Sequence, residues 1–229
     1  MICKNDQRKF FACVLVSLLF LVNVASGQAY APTAPPSKPI SIADARSLPL
    51  GTVVTIEGTI TVPSGAFSSS TFDQGFAIQD RTAGIYVSTA DNLGFALGER
   101  VRVTGTLADT VLPGLLVLVD VTVDKSVPGG QKVTPLPVAT GDVGEATEGT
   151  LVQVTATISQ PIVNDLPFGF IIFVNDGSGE VHVFVCASTG IDVSGLSQGQ
   201  TIQVTGISGQ FADSFEVDPR VQSDIKVVN

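Results

Sequence analysis

Most of this 229-residue chain is written twice, and that duplication limits the possible folds more than any other feature. Gly51-Thr52-Val53-Val54-Thr55-Ile56 returns as Gly149-Thr150-Leu151-Val152-Gln153-Val154. Gln79-Asp80 leading to Ile85-Tyr86-Val87 returns as Asn175-Asp176 leading to Val181-His182-Val183. Gly98-Glu99-Arg100-Val101-Arg102-Val103-Thr104-Gly105 returns as Gly199-Gln200-Thr201-Ile202-Gln203-Val204-Thr205-Gly206. A unit of roughly 90 residues is a small domain, longer than the ~20–50 residues of a solenoid repeat. Two domains, each closing its own modest core, are expected.

Each copy carries β-branched residues at alternating positions and frequent turn formers, with 23 Gly and 13 Pro overall. No long stretch has the apolar spacing of an amphipathic helix, so the class is all-β. Five strands are expected in each copy: Thr52–Val62, Gly75–Asp80, Ala83–Thr89, Glu99–Leu107 and Leu115–Val123 in the first. The second copy gives Thr150–Ile158, Gly169–Asp176, Glu180–Ala187, Gln200–Ile207 and Phe215–Ile225, the last interrupted by Pro219. Gly58 is expected to make a bulge that bends the long first strand. Ile42 to Leu48 suits one short helical turn. A long bent strand, a hairpin, a connector carrying Leu93 or Leu196, and two further strands form the layout of the five-stranded Greek-key OB barrel.

The Gly-Thr-Val-Val-Thr-Ile-Glu-Gly entry, the Phe-Ala-Ile-Gln-Asp strand and the Gly-Glu-Arg-Val-Arg-Val-Thr-Gly strand resemble the secreted OB-fold modules that accompany extracellular nucleases and phosphoesterases in bacterial proteins. The resemblance covers nearly all of the chain beyond its N-terminus. It implies two tandem OB-type barrels and nucleic acid as the ligand class. The second copy departs from the pattern where Thr201 and Gln203 replace the two arginines, which weakens any phosphate-holding role there.

The N-terminus reads as a targeting segment. Lys4, Arg8 and Lys9 precede an apolar run from Phe10 to Val24, and small residues follow through Ala31. This is the layout of a secretory signal peptide, with cleavage after Ala29 or Ala31 fitting equally well. The rival reading is an uncleaved membrane anchor, for which the run is short against the ~20 apolar residues of a span. The expected division is a signal peptide over 1–31, a Pro-rich linker over 32–40, one barrel over 41–127, a linker over 128–138 and a second barrel over 139–229. Loss of the signal takes basic residues from 12 to 9 and acidic residues from 21 to 20, leaving a net charge of −11. Cys3 and Cys13 would leave with it, so Cys186 is expected to stand alone.

Catalysis finds little support in these residues. The one histidine, His182, lies four residues along a strand from Cys186, or ~13 Å at ~3.3 Å per residue, and Tyr86 fills its place in the first copy. One His and one Cys are too few for a zinc site. The carboxylate pairs Asp73/Asp80 and Glu216/Asp218 belong to no recognisable acid–base motif, and no phosphate loop or nucleophile elbow occurs. No enzyme activity and no cofactor are expected.

Binding is the better expectation. OB barrels present ligands on the outer face of the second and third strands. If Val181, Val183, Val185, Ile172 and Val174 face inward, alternation turns Phe173, His182 and Phe184 outward. Tyr86 holds the corresponding place in the first copy, with Phe67, Phe72, Phe168 and Phe211 in nearby loops. Such rings stack nucleobases or sugars, or bury themselves against the other domain. Once the signal is removed, Arg81, Arg100 and Arg102 are the only local concentration of positive charge, and Glu57 and Glu99 are placed to pair with the last two. The ligand candidates are therefore Tyr86, Arg100, Arg102, Phe173, His182 and Phe184. The partner expected is a weakly bound single-stranded nucleic acid or, alternatively, an extracellular protein or polysaccharide, for which acidity is no handicap.

Overall fold

A computed structural model describes residues 38–67, 73–110, 114–125, 127–130 and 132–228. The signal peptide, most of the Pro-rich linker and Phe72 therefore lie outside the described residues. The first unit opens with a short helix, α1 (Ile42–Arg46), capped by the Ser41 hydroxyl, which accepts from the Asp44 amide. Five strands follow: β1 (Val53–Val62), β2 (Phe76–Gln79), β3 (Gly84–Val87), β4 (Arg100–Asp109) and β5 (Leu116–Asp124). They close in the order β1-β2-β3-β5-β4, with β3 and β5 parallel and every other pair antiparallel.

The second unit repeats the arrangement. Its closed ring is β7 (Leu151–Ile158), β9 (Gly169–Asn175), β10 (Glu180–Cys186), β12 (Ser214–Asp218) and β11 (Thr201–Phe211), with β10 and β12 parallel. Three short strands decorate it: β6 (Leu136–Pro137) beside β7, β8 (Val163–Asp165) beside β9, and β13 (Ile225–Val227) beside β11. The molecule is thus all-β, built from two tandem five-stranded Greek-key OB-type barrels. β6 falls within the stretch read from sequence as linker, and Pro219 ends β12 so that β13 is a separate strand.

Alternation sets each core. Ile56, Ile60, Ile78, Ile85, Val101 and Val103 fill the first barrel, and Val154, Ile172, Val174, Val181, Val183 and Val204 fill the second. The first barrel is plugged by Phe95 from the β3–β4 connector, 4.8 Å from the Phe76 ring and capped by the Lys125 ammonium at 4.4 Å. The repeated glycines keep their conformation as well as their place: Gly51 and Gly149 have φ of 84° and 77°, and Gly98 and Gly199 have 87° and 89°. Gly58 is not the bulge expected of it. It pairs regularly with Val101, and the irregularity falls between Ile60 and Val62. A side chain at Gly58 would meet the Ile78 Cβ at 3.0 Å, so glycine there admits the close crossing of β2.

The repeated Gln79-Asp80 and Asn175-Asp176 pairs tie the approach segment of each barrel to its first hairpin. Asp80 accepts from the Ile42 amide (2.9 Å) and from Thr82, while Asp176 accepts from the Thr140 amide and hydroxyl (3.0 and 2.7 Å) and from Ser178. These bonds hold Asp80 below the usual carboxylate range against the opposing effect of burial. Asp176 is held far below it, chiefly by Ser178 and then Thr140. Cys186, expected to stand alone, is disulfide-bonded. Among the described residues, no helix is long and apolar enough to cross a membrane.

Candidate nucleic-acid interface

The aromatic face expected to meet a ligand is largely covered by the other barrel. Tyr86 and Phe184 do point out of their barrels, as alternation requires, but Tyr86 is only 1% exposed and Phe184 9%. They meet in one apolar cluster with Val62, Phe67, Ala77 and Val117 of the first unit and Cys186 and Ile207 of the second. The Tyr86 hydroxyl donates to Asp73 at 2.7 Å, satisfying the one polar atom of the ring. Parts of the outer faces of β2–β3 and β9–β10 therefore cover each other, and Tyr86 and Phe184 are not open to a ligand. Strand parity could reveal which side chains leave a barrel but not what covers them.

Polar contacts surround this seam. Arg46 of α1 pairs with Glu148 at 2.9 Å, with side-chain exposures of 14% and 1%. Burial pushes the Glu148 carboxyl above its ordinary value, and the opposing pull of Arg46 does not offset it. The Leu151 amide donates to Gln79 at 2.8 Å, and Arg220 donates to the Thr61 carbonyl at 2.8 Å. Backbones touch as well: a Cβ on Gly84 would sit 1.9 Å from the Gly149 carbonyl oxygen. Asp218 is buried with neither oxygen hydrogen-bonded among the described residues, and burial, then neighbouring Glu216, push its carboxyl well above the ordinary range. Among the described residues, no cluster of three His, Cys, Asp or Glu side chains is placed to hold a metal.

Phe173 and His182 remain half-buried beyond the edge of the seam, facing each other across β9 and β10 with ring centroids 4.7 Å apart in an edge-on contact. Beside them Glu180 accepts from Ser159 and Gln160. In the loops, Phe67 is buried in the seam, whereas Phe168 and Phe211 are each 39% exposed.

The two β4 arginines share one acid. Glu57 on β1 takes Arg100 at 2.9 Å and Arg102 at 2.6 Å, and these cations, Arg102 foremost, lower its pKa. Arg100 borders an open groove of about 870 Å³ whose walls include Glu57, Asp80, Arg81, Gly129 and Lys132. A second groove of about 880 Å³ adjoins it, with Glu99, Lys132, Arg220, Asp224 and Lys226 on its walls. Lys132 and Val133 belong to both. Sequence inspection missed this trough, because Lys132 and Lys226 are isolated in the chain and only the fold brings them to one side.

Every acid on the two walls already has a partner within the chain. Glu57 holds Arg100 and Arg102, Asp80 caps Ile42 and Thr82, Glu99 accepts from the Ala96 amide, and Asp224 binds Arg220. Arg81, Lys132 and Lys226 are exposed and carry no ion pair among the described residues. Neither groove is lined by an aromatic ring. A trough with unpaired cations and no stacking surface suits a phosphate backbone rather than bases.

The fold defines the class: a protein of two tandem OB-type barrels. Within it, the chain is 27% identical over 208 residues to Endonuclease YhcR of Bacillus subtilis (strain 168), a match covering 86% of this chain but only 16% of that protein. No protein-family profile matches. Among solved structures, a murine DNA-binding protein bound to double-stranded DNA aligns with a TM-score of 0.41 and 11% identity, over 76% of this chain and 95% of that one. Fission yeast Pot1 with single-stranded DNA aligns with a TM-score of 0.38 and 11% identity, over 82% and 88%.

Proposed function

We propose that the protein is an exported, non-catalytic accessory module that binds nucleic acid through its phosphate backbone. The observation that carries this reading is the gathering of unpaired cations, Arg81 and Lys132 with Arg100 beside them, at one groove of an otherwise acidic molecule. A local positive wall attracts a polyanion that the net charge repels at longer range. The partial match to a protein named an endonuclease supports the same ligand class, since it spans a small part of that protein and leaves room there for chemistry elsewhere. Export rests on the N-terminal signal layout. The absence of a catalytic role rests on the isolation of His182 from any nucleophile suited to it.

Binding of a labelled oligothymidylate, followed by fluorescence anisotropy against salt, tests this reading. Three phosphate contacts on a single strand give a log K against log salt slope of about −2. Arg81→Ala is expected to weaken binding and flatten that slope. Salt-independent binding, or none, contradicts the reading. A second reading, an interaction module for an extracellular protein or polysaccharide, is favoured by Phe173 and His182, which stay partly open on the barrel with 11 acidic and two basic residues.

A further inference from the structure

Residues of the linker between the barrels line both grooves: Gly129 the first, Gly130 the second, and Lys132 and Val133 both. Gly130 presses against the first barrel so closely that a Cβ there would stand 1.9 Å from the Gly98 carbonyl oxygen. Gly129, at φ 88°, has open space where its side chain would be. Gly129 and Gly130 therefore put bare backbone beside the grooves, with Gly130 pinned to the first barrel. The unpaired cations are spread along the trough: Arg81 in the first groove, Lys132 in both, and Lys226 in the second. Arg220 is held by Asp224 (2.9 Å) and by the Thr61 carbonyl, so its charge is compensated within the chain and it is not one of the free cations.

We propose that one extended polynucleotide strand runs through both grooves, crossing the linker at Lys132 and reaching Lys226, so that a single backbone touches both barrels. This rests on the nucleic-acid reading given above. It assigns Lys226 a phosphate contact on the barrel where Thr201 and Gln203 stand in place of the two arginines. It also makes recognition independent of base sequence, because nothing aromatic lines the path. The strand leaves the covered β2–β3 and β9–β10 faces untouched.

The experiment is anisotropy with an oligothymidylate of about 15 nucleotides, near the upper site size of a single OB barrel. It compares the unaltered protein with Arg81→Gln, Lys226→Gln and the double variant. Both side chains are exposed and unpaired, so thermal melts of the variants should overlay the parent. Each single variant is expected to lower the magnitude of the salt slope by ~0.7, and the double variant by ~1.4. If Lys226→Gln binds as the parent does while Arg81→Gln weakens, the strand is confined to the first groove and this inference fails alone. If the parent binds but neither variant differs, the path lies elsewhere and the inference again fails. If the parent binds no oligonucleotide, the nucleic-acid reading falls with it.

Discussion

Asp80 and Asp176 show how a repeated residue can look like chemistry and serve architecture. Each sits at the hairpin turn of its barrel and reaches an amide 38 or 36 residues upstream, at Ile42 or Thr140. Their spacing made the repeat legible in the sequence, but the acceptor role was not, because the donors lie outside the motif. The carboxylate of Asp176 is stabilised by these donors, so its folded pKa is depressed. Its contribution is therefore complete above the ordinary Asp value of ~3.9 and is lost as pH falls toward the lower folded value. Asp176→Ala should lower stability at pH 7 by about 1 kcal/mol, a figure typical of a lost cap and reduced by the exposure of the site. Thermal melts of both proteins should then converge as the pH falls below ~3.9. A deficit that stays constant down to pH 2 would show that the interaction does not depend on the charge.

At the scale of elements, the ten barrel strands were readable from alternation because one face of each is buried in a barrel core. β6, β8 and β13 were not, since two or three residues at an edge leave no period to detect. The seam between barrels was equally silent. Tyr86 and Phe184 obey the outward parity of a binding face, and only the packing of one barrel on the other shows them covered. Gly84 and Gly149 make that packing possible, since their backbones touch where any side chain would intrude. Gly84→Ala is expected to cost about 1–3 kcal/mol, as an overpacked contact does, and to loosen the seam. Urea unfolding should report it as a lowered midpoint or a transition split between the barrels. A variant with the parent's single transition and midpoint would mean that the backbones are not in this contact.

For the whole molecule, charge is divided more sharply than the composition suggests. The 41–127 stretch carries five basic and nine acidic residues, and 139–229 carries two and eleven. The arginines Arg100 and Arg102, which the sequence placed at the centre of a site, are held by Glu57, and Arg102 does not line either groove. Arg81, Lys132 and Lys226 were invisible as a group because 51 and 94 residues separate them along the chain. The central claim is that nucleic acid follows the trough beside the linker and not the strand faces that OB barrels commonly use. Amide chemical-shift mapping during an oligothymidylate titration tests it most directly. The account predicts saturable, salt-sensitive shifts at 81–82, 100, 129–130, 132–134 and 223–226, with 169–186 undisturbed. Shifts concentrated at Phe173, His182 and Phe184, with the trough silent, would contradict it.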